Sequence, residues 1–165
     1  NLPTLTVIQH GEQQTNSNPP HHPSLVDDEA PVLAAQTLML DLAINELNSD
    51  AHRILVVASP FKCCLQTAVL VAQTLGVPAI QIHYGITERV SRIRDKGWDW
   101  EVSPLYCSEF EMRNIVREQS KKGERKGWCS VKIEEFVGKQ MHNDDINEAE
   151  DMANDRISSA LEEIR

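Results

Sequence analysis

A strand–helix–strand pattern between residues 53 and 83 constrains the fold more than any other part of the chain. Residues 53–58 hold the apolar, largely β-branched run Ile54-Leu55-Val56-Val57-Ala58, which predicts a buried strand. Pro78 enforces an extended entry into a second apolar strand, Ala79–His83. A crossover of this length favours two parallel strands, and hence an α/β fold whose parallel sheet carries helices on both faces.

The segment between these strands predicts a helix. Ser59-Pro60 ends the first strand, and Gly76 is a typical helix stop. Apolar residues recur between them at helical spacing: Cys64, Ala68, Val71, Ala72 and Leu75.

Four further elements follow from local pattern. Residues 4–8 predict another strand, and residues 13–28 a polar, proline-broken loop. Helices are predicted for Glu29–Asn48 and about Asp144–Ile164, from apolar residues at helical spacing. Residues 84–130 are less regular, although Glu109–Gln119 is compatible with a helix. A length of 165 residues with 41% hydrophobic content fits a single domain, 1–165.

The net charge of the chain and its distribution argue against some classes of function. A formal net charge of −9 disfavours nucleic-acid binding by the whole domain. Residues 86–132 nevertheless hold 11 basic against 8 acidic groups, so cationic character is confined to the middle of the chain. Two basic clusters lie there: Arg89, Arg92, Arg94 and Lys96, then Lys121, Lys122, Arg125 and Lys126. Each is interpreted either as a solvated loop or as a patch for an anion or acidic partner.

The cysteines and the hydropathy bear on the compartment. The four cysteines, at positions 63, 64, 107 and 129, show no C-x-x-C spacing, which favours reduced thiols in an intracellular protein. No run of about 18 apolar residues is present, so we predict no membrane span. The compartment stays open.

Two sites at predicted strand ends carry chemistry-bearing residues. The strand 4–8 runs into Gln9-His10-Gly11-Glu12, and the strand 53–58 runs into Ser59-Pro60-Phe61-Lys62-Cys63. Parallel strands bring their carboxyl ends to one edge of a sheet, where α/β proteins bind ligands. These two segments are therefore expected to be neighbours.

The two segments together resemble the histidine phosphatase (phosphoglycerate mutase-like) superfamily. The similarity lies in Ile8-Gln9-His10-Gly11-Glu12 and in Ser59-Pro60-Phe61-Lys62-Cys63-Cys64-Leu65-Gln66-Thr67-Ala68, with support from Ala30-Pro31-Val32 and Ile86-Thr87-Glu88. It covers roughly residues 4–90, and it implies a phosphoglycerate mutase-like sheet.

The resemblance also implies roles for particular residues. His10 matches the nucleophile that accepts the phosphoryl group, Gly11 and Glu12 match the residues beside it, and Glu88 is a candidate proton donor. Ser59 and Lys62 occupy positions of the phosphate pocket. We predict no metal ion and no cofactor.

Two departures from the family pattern argue against catalysis. Gln9 stands where the family has an arginine before the nucleophile, and Cys63 stands at its second phosphate-binding arginine. Lys62 is not an equivalent replacement for the second, because one step along a helix turns a side chain by about 100°. Losing even one preorganised donor typically costs about 10²–10³ in rate.

The family's second histidine, which follows a late apolar strand, has no counterpart after Glu134, and His142 lies in the wrong surroundings. Three explanations stay open: the sequence is part of a longer protein, an inner strand has been lost, or a partner supplies that strand.

Other interpretations of individual residues also stay open. His10 is either a structural residue or a relic of the phosphate pocket. Cys63 is either an inert buried cysteine or, with His10 or Cys64, a thiol nucleophile or a metal site. Trp98 and Trp100, beside the first basic cluster, suit a core, a lid or a partner contact.

The expectation is therefore a catalytically inactive, histidine-phosphatase-like domain that serves as a protein-interaction or scaffold module with protein partners. The alternatives are a weak phosphomonoesterase that uses His10 and Glu88, and a non-catalytic binder of a phosphorylated ligand.

Overall fold

The computed structural model describes residues 5–12, 24–44, 54–87, 106–140 and 150–164. These residues form four helices and a three-stranded parallel sheet, which confirms the predicted α/β class. In chain order the elements are α1 (Glu29–Ile44), β1 (Val57–Ala58), α2 (Lys62–Leu75), β2 (Ala79–His83), α3 (Glu109–Glu124), β3 (Lys132–Val137) and α4 (Glu150–Ile164).

The sheet has the order β1-β2-β3, and both strand pairs are parallel. Val57 pairs with Gln81, and Ile80 pairs with Ile133. The register between β2 and β3 shifts after Ile80, because Gln81 pairs with Glu135 and Glu134 is an extra residue in β3. Neither β1 nor β3 pairs on its outer side with another strand of the described segments, so the sheet is open.

Helix α2 ends as the sequence predicts. Gly76 has a left-handed φ of 71°, and its N–H donates to the carbonyl groups of Ala72 and Gln73. The N–H of Val77 donates back to the Ala72 oxygen at 2.8 Å, which completes a Schellman motif. This turn and Pro78 direct the chain into β2.

Helix α3 begins with a capping box. The hydroxyl of Ser108 accepts from the Glu111 N–H at 3.3 Å, and the Glu111 carboxylate accepts from the Ser108 N–H at 2.7 Å. The helix extends five residues beyond the predicted end at Gln119, to Glu124.

The core lies between one face of the sheet and helices α2 and α3. Its most deeply buried members include Leu65, Val69, Ile80, Ile82, Met112 and Val116. Helix α1 packs against α2. The residue before α1, Asp28, is joined to α3, because Gln119 Nε2 donates to Asp28 Oδ1 at 3.1 Å.

Helix α4 contacts the sheet at its other face. Side chains alternate along a strand, so His83 points away from the core side occupied by Ile80 and Ile82. His83 is 2% exposed, and its Nε2 lies 3.2 Å from Glu163 Oε2 of α4. The Gly85 N–H donates to His83 Nδ1 at 3.0 Å, so the proton of the neutral ring lies on Nε2 and faces Glu163.

Hydrogen bonds from Arg156 connect α4 to the turn after β2. Its Nη1 donates to the Gly85 carbonyl at 2.6 Å, to the Thr87 carbonyl at 3.3 Å and to Thr87 Oγ1 at 2.9 Å. We expect Arg156→Ala to lower the free energy of unfolding by about 1.5–3 kcal/mol, since bonds to a charged donor are lost and buried acceptors are exposed. Urea unfolding and amide exchange over residues 150–164 measure this effect.

Asp155→Ala, an exposed change one residue earlier on α4, is the matched control and should alter stability by less than about 0.5 kcal/mol. Equal effects of the two changes, or unaltered exchange in α4 after Arg156→Ala, would contradict this role of Arg156.

Three sequence predictions need correction or completion. Residues 5–8 form no strand, and Val7 is 80% exposed, so the strand predicted at 4–8 is wrong in its described part. The strand predicted at 53–58 is regular only at Val57–Ala58. Strand β3 was not predicted. The predicted helices Glu29–Asn48 and Asp144–Ile164 are confirmed where they are described, whereas residues 45–48 and 144–149 lie outside the described segments.

Within the described segments, no helix combines the length and apolar character needed to cross a bilayer.

Candidate functional site

The candidate site lies at the carboxyl edge of the sheet, where β1 and β2 end. Ser59 follows β1, and Tyr84 follows β2. The amino end of α2 begins at the same edge, because the chain turns from β1 into α2 within three residues. Ligands of α/β proteins bind at this edge of a parallel sheet.

The His10-Gly11 segment packs against α2, as the sequence predicts. The Gly11 N–H donates to Thr67 Oγ1 at 3.3 Å in a buried contact. A methyl group at position 11 would lie 3.1 Å from Pro31 Cγ and 3.3 Å from Leu25 Cδ2. A side chain at position 11 would therefore require the side chains of Pro31 and Leu25 to shift by a few tenths of an ångström.

His10 is half-buried, and its ring is oriented by its neighbour. Its Nδ1 lies 2.8 Å from the carbonyl oxygen of Gly11. A carbonyl oxygen only accepts, so Nδ1 carries the proton and the lone pair of the neutral ring is on Nε2. This tautomer suits a nucleophilic role for Nε2.

The amino end of α2 has no side-chain cap. Its N-cap residue is Phe61, which makes no side-chain capping bond, and the first turn contains no acidic residue. The buried hydroxyl of Ser59, which precedes this end, has no hydrogen-bond partner among the described residues. Uncapped N–H groups and the helix dipole favour an anion at such an end, and Lys62 adds a half-buried cation.

Cys63 lies in the core. Its side chain is 2% exposed, and its Sγ lies 3.9 Å from the Sγ of Cys64. Cys64 packs against the same core from a partly buried position. Within the described segments, no group of three or more His, Cys, Asp or Glu residues is arranged to hold a metal ion. The metal-site interpretation of Cys63 and Cys64 therefore gains no support.

Aromatic rings that the sequence analysis missed also lie at this edge. The ring centroids of Tyr84 and Tyr106 are 5.6 Å apart, and those of Phe61 and Tyr106 are 5.7 Å apart. Burial raises the pKa of Tyr84, and the nearby Glu109 carboxylate adds to the effect. The available signal for Tyr84 was its place directly after an apolar strand; Tyr106 lies far from both motifs in sequence.

Cys107 is a further residue near this edge that the sequence analysis did not predict. Burial, and to a lesser extent the Glu111 carboxylate, raise the pKa of its thiol to about 11, although the positive charge of Lys62 acts in the opposite direction. The neutral thiol is thus favoured in the folded protein, so the stability that Cys107 contributes is present below about pH 9 and is lost as the pH rises toward 11.

Alkylation by iodoacetamide tests this pKa. We expect the Cys107 thiol to react with a midpoint near pH 11, and Lys62→Ala to slow its reaction at pH 9, because the cation that favours the thiolate is removed. Mass spectrometry of Cys107, with Cys107→Ser to assign the peptide, reports the rate. A midpoint at an ordinary thiol pKa would contradict the prediction.

The remaining predicted residues fall into two groups. Gln9 and Glu12 are exposed, and the Glu12 carbonyl accepts from the Val26 N–H at 2.8 Å. The second group lies outside the described residues: Glu88, Arg89, Arg92, Arg94, Lys96, Trp98 and Trp100.

The second basic cluster has a structural explanation. Lys121 and Lys122 lie in the last turn of α3, where cations stabilise the negative end of the helix dipole. Lys126 stacks on Trp128 with its Nζ 5.3 Å from the ring centroid. These contacts favour the interpretation of this cluster as solvated, over an anion patch.

No protein-family model, curated protein or solved structure matches this chain.

Proposed function

We propose that this domain is a catalytically inactive, phosphoglycerate mutase-like member of the histidine phosphatase superfamily that binds a protein partner. His10 adjoins Gly11, whose N–H donates to Thr67 of α2, and it matches the histidine that an active relative would use for phosphoryl transfer. The domain acts as an interaction or scaffold module.

The observation that carries this proposal is the burial of Cys63. An arginine that binds phosphoryl oxygens must extend from the first turn of α2 into the site. Cys63 instead packs among core residues and is 2% exposed. Gln9 is exposed and uncharged, so neither position of the expected arginine pair presents a cation. A phosphoryl transition state concentrates negative charge, and it is not stabilised without such donors.

The aromatic residues at this edge belong to the core. Tyr84, Tyr106 and Phe61 form a chain of ring contacts there, and all three are buried. Lys62, which is half-buried beside them, is accessible to a partner.

Hydrolysis of p-nitrophenyl phosphate between pH 4 and 8 tests the loss of catalysis, with His10→Ala as the matched control. We expect the same residual rate for both proteins. Turnover that His10→Ala abolishes would overturn the proposal and establish the phosphomonoesterase.

Partner binding is tested by isolating the complex from native lysate and repeating the isolation with Lys62→Glu, which reverses the charge at the edge. A defined partner that is lost with this variant supports the module. A partner that the parent and the Lys62→Glu variant retain equally would show that the interface does not include Lys62.

Binding of a phosphorylated ligand without turnover is a second candidate, favoured by the uncapped amino end of α2 and the Ser59 hydroxyl. Titration with inorganic phosphate, followed by the amide NMR signals of residues 62–64, tests it. Saturable shifts that disappear in Lys62→Ala support this candidate; the absence of shifts at millimolar phosphate contradicts it.

The orientation of His10 favours the third candidate, the weak phosphomonoesterase. In that reaction His10 Nε2 would form a bond to phosphorus while the ester P–O bond breaks, and Glu88 would protonate the departing oxygen. Water would then cleave the P–N bond and release phosphate. The His10→Ala comparison decides this case as well.

A further inference from the structure

The adjacent cysteines Cys63 and Cys64 bring two thiols into contact in the first turn of α2. Neither takes part in a disulfide, and their Sγ atoms lie 3.9 Å apart. Consecutive side chains on a helix point about 100° apart, so adjacent residues do not ordinarily touch through their side chains. The contact therefore depends on the particular orientation that these two side chains adopt.

The two thiols differ in their access to solvent. Cys63 is 2% exposed and belongs to the core, whereas Cys64 is only partly buried and packs against the core. Thiolates are stabilised at the amino ends of helices and beside lysine. Cys64 lies in the first turn of α2 together with Lys62, and that turn contains no acidic residue. An oxidant from solvent thus reaches Cys64 first, and Cys63 is the thiol in contact with it.

We propose that Cys63 and Cys64 form a redox-active dithiol, which hydrogen peroxide converts to a disulfide between the two adjacent residues. The Cys64 thiolate attacks one peroxide oxygen, the O–O bond breaks, and a sulfenic acid forms at Cys64 while the departing hydroxide takes up a proton. The Cys63 sulfur then attacks the Cys64 sulfur, the S–O bond breaks, and the leaving hydroxide takes the Cys63 proton. The two thiols lose two electrons, and one peroxide is reduced to two waters.

The proposed disulfide is strained, and hence readily reduced. Adjacent Cα atoms lie only about 3.8 Å apart across a trans peptide, whereas ordinary disulfides join Cα atoms about 4.4–6.8 Å apart. Strain of this kind makes the bond easier to reduce, and strained disulfides are typical of labile or regulatory sites. A small thiol such as dithiothreitol is therefore expected to restore the pair, so the modification is reversible.

The disulfide is incompatible with a regular first turn of α2. The two Sγ atoms must approach from 3.9 Å to about 2.05 Å, which helical backbone angles at adjacent residues do not allow. The Leu65 N–H closes this turn by donating to the Phe61 carbonyl at 2.9 Å. We expect oxidation to break that bond and so to change the amino end of α2 at the carboxyl edge of the sheet. The Val77 N–H, which donates to Ala72 at the other end of α2, lies too far along the helix to be affected.

Mass spectrometry of the full chain tests the disulfide. The reduced protein is treated with hydrogen peroxide, blocked with N-ethylmaleimide in denaturant and digested with trypsin without reduction. Trypsin cleaves after Lys62, so Cys63 and Cys64 lie in one peptide. We expect this peptide to lose the mass of two hydrogen atoms and to carry no maleimide, and we expect dithiothreitol to reverse the change.

Variants assign the link to the adjacent pair. Cys63→Ala and Cys64→Ala should each abolish the loss of mass, whereas Cys129→Ala, at another partly buried cysteine, is the matched control and should retain it. Cys107 is an internal reference. Burial raises the pKa of its thiol to about 11, so this thiol stays protonated and should be recovered with maleimide attached.

Amide exchange of the reduced and oxidised full chain tests the opening of α2. We expect the Leu65 amide to exchange at least about tenfold faster after oxidation, since its acceptor is lost. Exchange of the Val77 amide should change by less than about twofold. Peroxide-treated Cys64→Ala protein should show neither change.

A pair that stays fully reduced under peroxide would overturn the proposal, and so would a sulfinic acid at Cys64 beside an unmodified Cys63. A disulfide from Cys64 to Cys107 or to a second chain would likewise overturn it. A disulfide between Cys63 and Cys64 that leaves the exchange of Leu65 unaltered would overturn the opening of α2. These measurements need neither a partner nor a phosphorylated ligand, so this inference and the proposed function fail separately.

Discussion

Replacing Gly123 by alanine is expected to lower the free energy of unfolding by about 2–4 kcal/mol, although alanine favours a helix more than glycine does. Gly123 lies in the last turn of α3, and a methyl group there would overlap the side-chain amide of Gln73. Gln73 is buried, and its Nε2 donates to the Ser120 carbonyl at 3.0 Å and to the Cys129 carbonyl at 2.9 Å. The new methyl group must displace this amide, which leaves buried carbonyl groups without their donor.

Chemical denaturation of the variant and the parent measures the loss. Glu118→Ala, at an exposed position of the same helix whose ion pairs with Arg117 and Lys121 lie on the surface, is the control and should stay within about 0.5 kcal/mol of the parent. Gln73→Ala removes the overlapping atoms, so its effect and that of Gly123→Ala should sum to more than the effect of the double variant. A Gly123→Ala protein as stable as the parent would show that Gln73 and Gly123 are not in contact.

Cys63→Arg, the change that would introduce the second arginine of the family that the sequence resembles, is expected to destabilise the protein by about 3–5 kcal/mol, since it buries a charge without a partner. Cys63 is 2% exposed and packs among the residues of the core. Phosphatase activity should therefore not appear, because the new guanidinium has no path from this position into the site without displacing core side chains.

Thermal and urea unfolding of three variants separates charge from position. Lys62→Arg places the same side chain one residue earlier, where the native residue is half-buried, and should change stability little. Cys63→Ala removes the thiol without adding charge and should cost less than the arginine change. If Cys63→Arg retained the parent's stability, position 63 would open into a cavity, and the pocket for a phosphorylated ligand would gain support.

Local signals in the sequence predicted the central part of the fold. Gly76 and Pro78 mark the end of α2 and the entry to β2 through constraints on their own backbone angles, which do not depend on the rest of the chain. The helical spacing of apolar residues similarly predicted α1 and α4, because each buries a face against the rest of the protein.

The errors arose where pairing or packing decides the outcome. Residues 4–8 have strand-forming side chains, but a strand exists only with a partner, and the described residues 5–8 have none. Strand β3 escaped prediction because the adjacent Glu134 and Glu135 break the alternation of apolar and polar residues. The structure accommodates the pair by the register shift after Ile80, which inserts Glu134 as a bulge.

The candidate site likewise contains a contact that the sequence predicted and residues that it did not. The sequence predicted that the His10-Gly11 segment would lie beside the helix after Ser59-Pro60, and the bond from Gly11 to Thr67 is that contact. Tyr106 and Cys107 were missed, since they join the site only through the fold, at the start of α3.

By itself the sequence determined the α/β class and the helices α1, α2 and α4, because backbone constraints and apolar periodicity act over a few residues. It also predicted that the His10-Gly11 segment would lie near the segment after β1, although the strand at 4–8 from which that prediction was derived does not form in its described part. Only the tertiary structure decided that Cys63 is buried in the core, that Tyr84, Tyr106 and Cys107 lie at the carboxyl edge, and that α1 exposes Leu33 and Leu40. Burial depends on which elements pack against one another, and residues distant in sequence make that choice.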